Sequence, residues 1–247
     1  MLRRLTLATV VASIAGAALP SAFAAGGLSI SPAILEHRAT VGAVGTVVVS
    51  NTQSTPLKIT VTPRPWRQAR SGAVSPNRSR TLRSSVRVSA ASFTLAAGTK
   101  RSVTISLTRK PSGGALFGAL EVVGKPTTKP SGNGITAQYR LISSLRLTAA
   151  KGRHGVKIGD ARISGRSAVV AVRNTGNTVD PVSGSVRLTG PRGTVNAAIA
   201  AVRILPGALV DLKLSSTSAL PKGSYTATIS LTQGGAKVAS AKRTFTR

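Results

Sequence analysis

The chain of 247 residues contains no cysteine. No disulfide can staple it, no thiolate can serve as nucleophile or metal ligand, and no thiol can carry a lipid anchor. Acidic residues are nearly as scarce: Glu36, Glu121, Asp160, Asp180 and Asp211 stand against 34 lysines and arginines. Five acids so scattered form neither the carboxylate pair that splits glycosidic bonds nor a calcium cage. There are two histidines, His37 beside Glu36 and His154 between Arg153 and Gly155, and neither lies in a G-x-S-x-G or comparable nucleophile setting. Gly113-Gly114 and Gly234-Gly235 read as turns rather than phosphate-cradling loops. The sequence therefore describes a protein that is not an enzyme and calls for no cofactor and no metal. Aromatic residues are 3% of the chain, which leaves Val, Ile, Leu and Ala to build any core.

What is present begins with an export signature. Arg3 and Arg4 precede an apolar run over residues 5–19, followed by Pro20-Ser21 and the small-x-small sequence Ala22-Phe23-Ala24. That order reads as a signal peptide over residues 1–24. The run is shorter than the roughly 20 residues a membrane span needs, and no later segment reaches that length. The expected location is the periplasm, the cell wall or the extracellular space. Losing Arg3 and Arg4 with the leader leaves 32 basic residues against five acids, a net charge of +27. Such a surface attracts polyanions and repels copies of itself.

The remainder alternates with period two between clusters of Gly, Pro, Asn and Ser, the pattern of antiparallel strands with one packed and one wet face. Arg101-Ser102-Val103-Thr104-Ile105-Ser106-Leu107 is one such run. Another spans residues 224–231, with Tyr225, Ala227, Ile229 and Leu231 on one face. The chain also repeats itself. Val47-Val48-Val49-Ser50-Asn51-Thr52 with Pro56 is matched by Val169-Val170-Ala171-Val172-Arg173-Asn174-Thr175 with Pro181. Leu95-Ala96-Ala97-Gly98 is matched by Ile204-Leu205-Pro206-Gly207, and Gly114 and Gly223 follow at equal offsets. The expected fold is all-β: two tandem immunoglobulin-like sandwiches over residues 25–150 and 156–247, joined by a short basic hinge at 149–155 that contains His154.

The first copy is longer, and the extra residues fall between Trp66 and Phe93. This insertion (66–92) carries Arg67, Arg70, Arg78, Arg80, Arg83 and Arg87 and no acid. Arginine grips phosphate or carboxylate with a planar fork, so these six are the candidate anion- or partner-binding residues. No aromatic interleaves them, which argues against specific nucleic-acid recognition. Trp66 is expected in the core or at a strand end. Residues 124–134 form a second, Pro/Gly-rich loop with Lys125 and Lys129.

Several short motifs carry a resemblance: Leu28-Ser29-Ile30-Ser31-Pro32, Asn51 with Pro56, Trp66, Leu95-Ala96-Ala97-Gly98, and a closing run from Tyr139 to Leu147. Together they resemble the N-terminal domain of periplasmic PapD-like pilus-assembly chaperones. The two-domain plan, with Asn174-Thr175-Gly176-Asn177 and Leu205-Pro206-Gly207, equally resembles surface proteins that partner wall-bound WxL proteins. The chaperone resemblance implies a strand lent to an exported subunit and a basic pair in the cleft that grips the subunit's terminal carboxylate. Here Pro32-Ala33-Ile34-Leu35 offers no basic residue in the first strand, so Arg140 or Arg146 would stand for the second of that pair. The lent face would be Leu141, Ser143, Leu145 and Leu147.

Two functions follow as expectations. The first is a non-enzymatic envelope protein that contacts an anionic wall polymer or an exported surface protein through its basic loops. The second is a chaperone-like assembly factor for surface or pilus subunits, acting by strand pairing.

Overall fold

Strict alternation over many short segments makes sheets with one apolar face, and two such faces must close on each other to exclude water. The structure, a computed structural model, describes residues 22–23, 27–128 and 137–247. The leader reading therefore lies outside the described residues apart from 22 and 23, as does the Lys129 part of the Pro/Gly-rich loop.

The first sandwich comprises β1 (Ala22–Phe23), β2 (Leu28–Ser31), β3 (Ile34–Arg38), β4 (Gly42–Asn51), β5 (Leu57–Gln68), β6 (Val74–Pro76), β7 (Val86–Val88), β8 (Ser92–Leu95), β9 (Lys100–Leu107), β10 (Leu116–Pro126) and β11 (Tyr139–Thr148). One sheet runs β1-β2-β4-β9-β7; the other runs β3-β11-β10-β5-β6, with β8 also paired to β5. The second sandwich comprises β12 (Val156–Ser164), β13 (Ser167–Asn174), β14 (Pro181–Gly190), β15 (Gly193–Arg203), β16 (Leu209–Ser216), β17 (Ser224–Gln233) and β18 (Ala236–Thr246). Its sheets run β12-β13-β16 and β15-β14-β17-β18. The chain is thus two immunoglobulin-like sandwiches in tandem.

Each sandwich has its own aliphatic core. Ile30, Val47, Leu57, Ile105, Leu120 and Leu145 anchor the first, and Val170, Val186, Ile204, Leu212, Ile229 and Leu231 anchor the second. The face Tyr225, Ala227, Ile229, Leu231 is buried as its alternation requires, and Tyr225 stacks on Phe245 with ring centroids 5.4 Å apart.

The internal repeat has a physical basis in two buried asparagines. Asn51 donates through Nδ2 to the carbonyls of Thr55, Leu95 and Ala96, and its Oδ1 accepts from the Gln53 amide. Asn174 donates to Thr178 and Ile204 and accepts from Gly176. Leu95 and Ile204 each stand three residues before a glycine, Gly98 (φ 67°) and Gly207 (φ 79°), whose left-handed backbone closes the turn. One amide in each sandwich therefore ties a strand end to the loop that enters the next strand.

The first strand changes sheets. β2 pairs with β4, the chain crosses at Pro32-Ala33, and β3 joins the opposite sheet parallel to β11. Proline cannot continue the ladder, which suits the crossing point. Because β3 arrives late, it covers β11 only from Ser144 to Thr148.

Candidate functional site

β11 is an interior strand for half its length and an edge for the other half. β10 pairs with it from Tyr139 to Leu147, whereas β3 begins opposite Ser144. Among the described residues no strand pairs with residues 139–143 on the β3 side. The Ser144 amide donates to the Ala33 carbonyl, which shows which way the even-numbered backbone groups point. A strand presents alternate residues to alternate neighbours, so the N–H and C=O of Arg140 and Ile142 face the open edge.

The side chains of β11 divide the same way. Leu141, Ser143, Leu145 and Leu147 are buried in the first core, with exposures of 7% for Leu141 and 0% for the other three. They pack inside their own sandwich, which corrects the expectation that this face is lent outward. Their alternation reports the core of the sandwich that owns them. Arg140, Ile142, Ser144 and Arg146 form the other face, turned away from that core.

The two candidate arginines on this strand have different surroundings. Arg140 Nη1 donates to Glu121 Oε1 at 2.9 Å. Glu121 lies on β10 and is 3% exposed; Arg64 Nε on β5 donates to its other oxygen, and Arg78 Nε stands 3.8 Å away. One buried carboxylate thus gathers three guanidiniums, which satisfies the charge that burial would otherwise penalise. Unlike that of Arg140, the Arg146 guanidinium has no hydrogen bond or ion pair among the described residues. It lines a cavity of about 310 Å³ between the sandwiches with Trp66, Val74, Phe117, Val179, Arg203 and Leu205. Ser144 completes the wall, and Arg203 is held by the Val179 carbonyl at 3.2 Å. Trp66 is half-buried near the end of β5 and belongs to this cavity rather than to the hydrophobic core.

The insertion does not gather its six arginines. Arg67 and Arg78 flank a shallow polar hollow with Ser75, Asn77 and Ser79. Arg70 sits at the tip of the β5–β6 hairpin and reaches Asp211 of the second sandwich with two hydrogen bonds, 3.1 and 2.7 Å. Arg80 and Arg83 are exposed in the return segment, where the carbonyls of Arg78 and Arg80 accept from Arg64. Arg87 lies on β7, in the opposite sheet, opposite Ser106. The insertion is anchored by Leu82, whose amide donates to the Pro63 carbonyl, and by buried Val86.

Sequence reasoning missed Glu121, Arg64, Gln68 and Asp211. The signal for Glu121 was present: a lone acid in Ala119-Leu120-Glu121-Val122-Val123 is surrounded by core residues and needs partners. Asp211 shows no such local sign. Burial raises the pKa of its carboxyl, but hydrogen bonds from Arg70 and Arg162 and the charge of both outweigh this and lower it overall. The hinge histidine, His154, pairs with Asp180 at 2.6 Å and lies against Gly234, so it serves to join loops.

No protein-family model matches the sequence, and no curated protein matches it. Solved structures do. A chain of the chaperone–tip adhesin complex of CFA/I fimbriae biogenesis superposes with a TM-score of 0.54 at 12% identity, covering 88% of this chain and 98% of that one. The class 5 fimbriae chaperone CfaA gives 0.52 at 13% identity, again covering 88% and 98%. The fold is that of the fimbrial chaperones. The Arg146 cavity lies where the first sandwich meets the second, and the open half of β11 runs from Ser144 away from that junction.

Proposed function

We propose that this protein is an exported, non-enzymatic, chaperone-like assembly factor that lends the open edge of β11 to a strand of a surface or pilus subunit. The observation that carries the reading is the late arrival of β3, which leaves Arg140 and Ile142 without a strand partner on that side among the described residues. An edge of this kind adds a partner strand through main-chain hydrogen bonds. The chaperone fold supports the same reading. Arg146, rather than Arg140, is the cleft residue that receives the partner's carboxylate: Arg140 already serves Glu121, whereas Arg146 points a free fork into a largely apolar cavity.

The test uses two probes on the full chain: a short Val/Thr-alternating peptide with a free C-terminal carboxylate, and inorganic polyphosphate. The reading expects the peptide to bind, its amidated twin to bind less well, and Ile142→Pro to abolish both. Polyphosphate binding that salt reverses and Ile142→Pro leaves intact, without peptide binding, would return the function to anionic wall polymer.

A further inference from the structure

The β5–β6 hairpin crosses from the first sandwich to the second, and its contacts there are unusually complete. At the tip, Arg70 holds both oxygens of the Asp211 carboxylate, and the Asp211 amide donates to the Arg70 carbonyl at 2.7 Å. Main chain and side chain thus cap the outer edge of β16 together. Gly72 (φ 90°) brings the turn against Val202 and Val210, whose methyl carbons lie 3.6 and 3.7 Å from where a Cβ would stand. Below the tip, Gln68 Nε2 donates to the Arg203 carbonyl at 2.8 Å, and Gln68 Oε1 accepts from the Leu205 amide at 2.8 Å.

Arg203 and Leu205 are also two of the three residues, with Val179, through which the second sandwich walls the Arg146 cavity. Trp66 and Val74, from the hairpin's own strands, wall it from the first. One side-chain amide therefore sets the spacing of the two walls. Asp211 matters for a second reason. Arg70 from the first sandwich and Arg162 from the second, at 2.5 Å, meet on its carboxylate. Without that carboxylate, two like charges would face each other across the junction.

We infer that Gln68, Arg70 and Asp211 form an interdomain strap that fixes the angle between the sandwiches and so presets the Arg146 cavity. The strap itself stands on the contacts above; its effect on binding rests on the proposed strand-pairing function. These are positioning residues, and they act before any partner arrives. A cavity that keeps its shape in only about a tenth of molecules binds about tenfold more weakly.

The absence of cysteine makes the test clean, since Thr46→Cys and Thr228→Cys, one exposed site on each sandwich, are then the only labelling positions. Spin-label distances are measured in this background, in Gln68→Ala and in Asp211→Asn. The strap predicts a single narrow distance that broadens in both variants, with binding of the free-carboxylate peptide weakened about tenfold. Arg146→Ala should weaken that binding while leaving the distance narrow. An unchanged narrow distance in both strap variants overturns the inference. Broadening with undiminished peptide binding overturns the claim that the strap presets the cavity. Loss of peptide binding in none of the variants, Arg146→Ala included, overturns the partner reading and leaves the strap standing.

Discussion

Asn51 and Asn174 show how much one amide can organise. Each is buried to 1% exposure or less, and each satisfies carbonyls in two separate loops. Replacing either by alanine leaves buried carbonyls without donors, which costs about 2 kcal/mol apiece. Urea unfolding of Asn51→Ala and Asn174→Ala should give similar losses, because the two positions do the same work in each copy. Glu121 is the opposite case, an acceptor that collects donors. Glu121→Gln keeps the shape and removes the charge, leaving Arg64, Arg78 and Arg140 facing one another. Their partial exposure lets water screen them, so the expected loss is about 2 kcal/mol, below that of a fully buried pair. High salt should shrink it, measured by repeating the denaturant titration across ionic strengths.

At the level of elements, β11 and β15 are both edges, but of different character. The open half of β11 is short, and its outward face carries arginine. A proline at Ile142 removes a donor that faces the open side, leaving the β10 ladder untouched, so Ile142→Pro should fold and fail to pair. Circular dichroism and the peptide titration read the two halves of that outcome. β15 is a full-length edge with Val195 58% exposed and no charged residue between Gly193 and Val202. Long neutral edges pair with copies of themselves unless something opposes it. The net charge of the chain supplies that opposition at low salt. Light scattering should show self-association as salt rises, and Val195→Lys should suppress it.

For the whole molecule, the junction responds to acid. The folded-state pKa of Asp211 is lowered from an ordinary value of 3.8, so its contribution is complete well above that value and is lost as pH falls through the folded one. Coupling between the sandwiches should therefore be flat from neutral pH to about pH 5 and decline below about pH 4. Calorimetry on the full chain should resolve one transition into two across that acid range, and Asp211→Asn should show two transitions at every pH.

The sequence by itself determined the all-β class, the repeat and its turn glycines, and the buried faces of its clearest strands, because period-two alternation and left-handed turn positions are local properties. It also pointed to Arg140 and Arg146. Four things were decided only by tertiary structure. Which arginine is free depends on Glu121, 19 residues from Arg140 along the chain and adjacent to it across a ladder. Which face of β11 is buried depends on the sheet opposite. How far β3 covers β11 depends on where the first strand changes sheets. And the arginine-rich insertion, which composition alone presents as an anion-binding loop, sends Arg70 to a carboxylate 141 residues away. Charge and hydrogen-bond partners are settled by long-range pairing, and composition cannot report which of many arginines lies nearest one of only five acids.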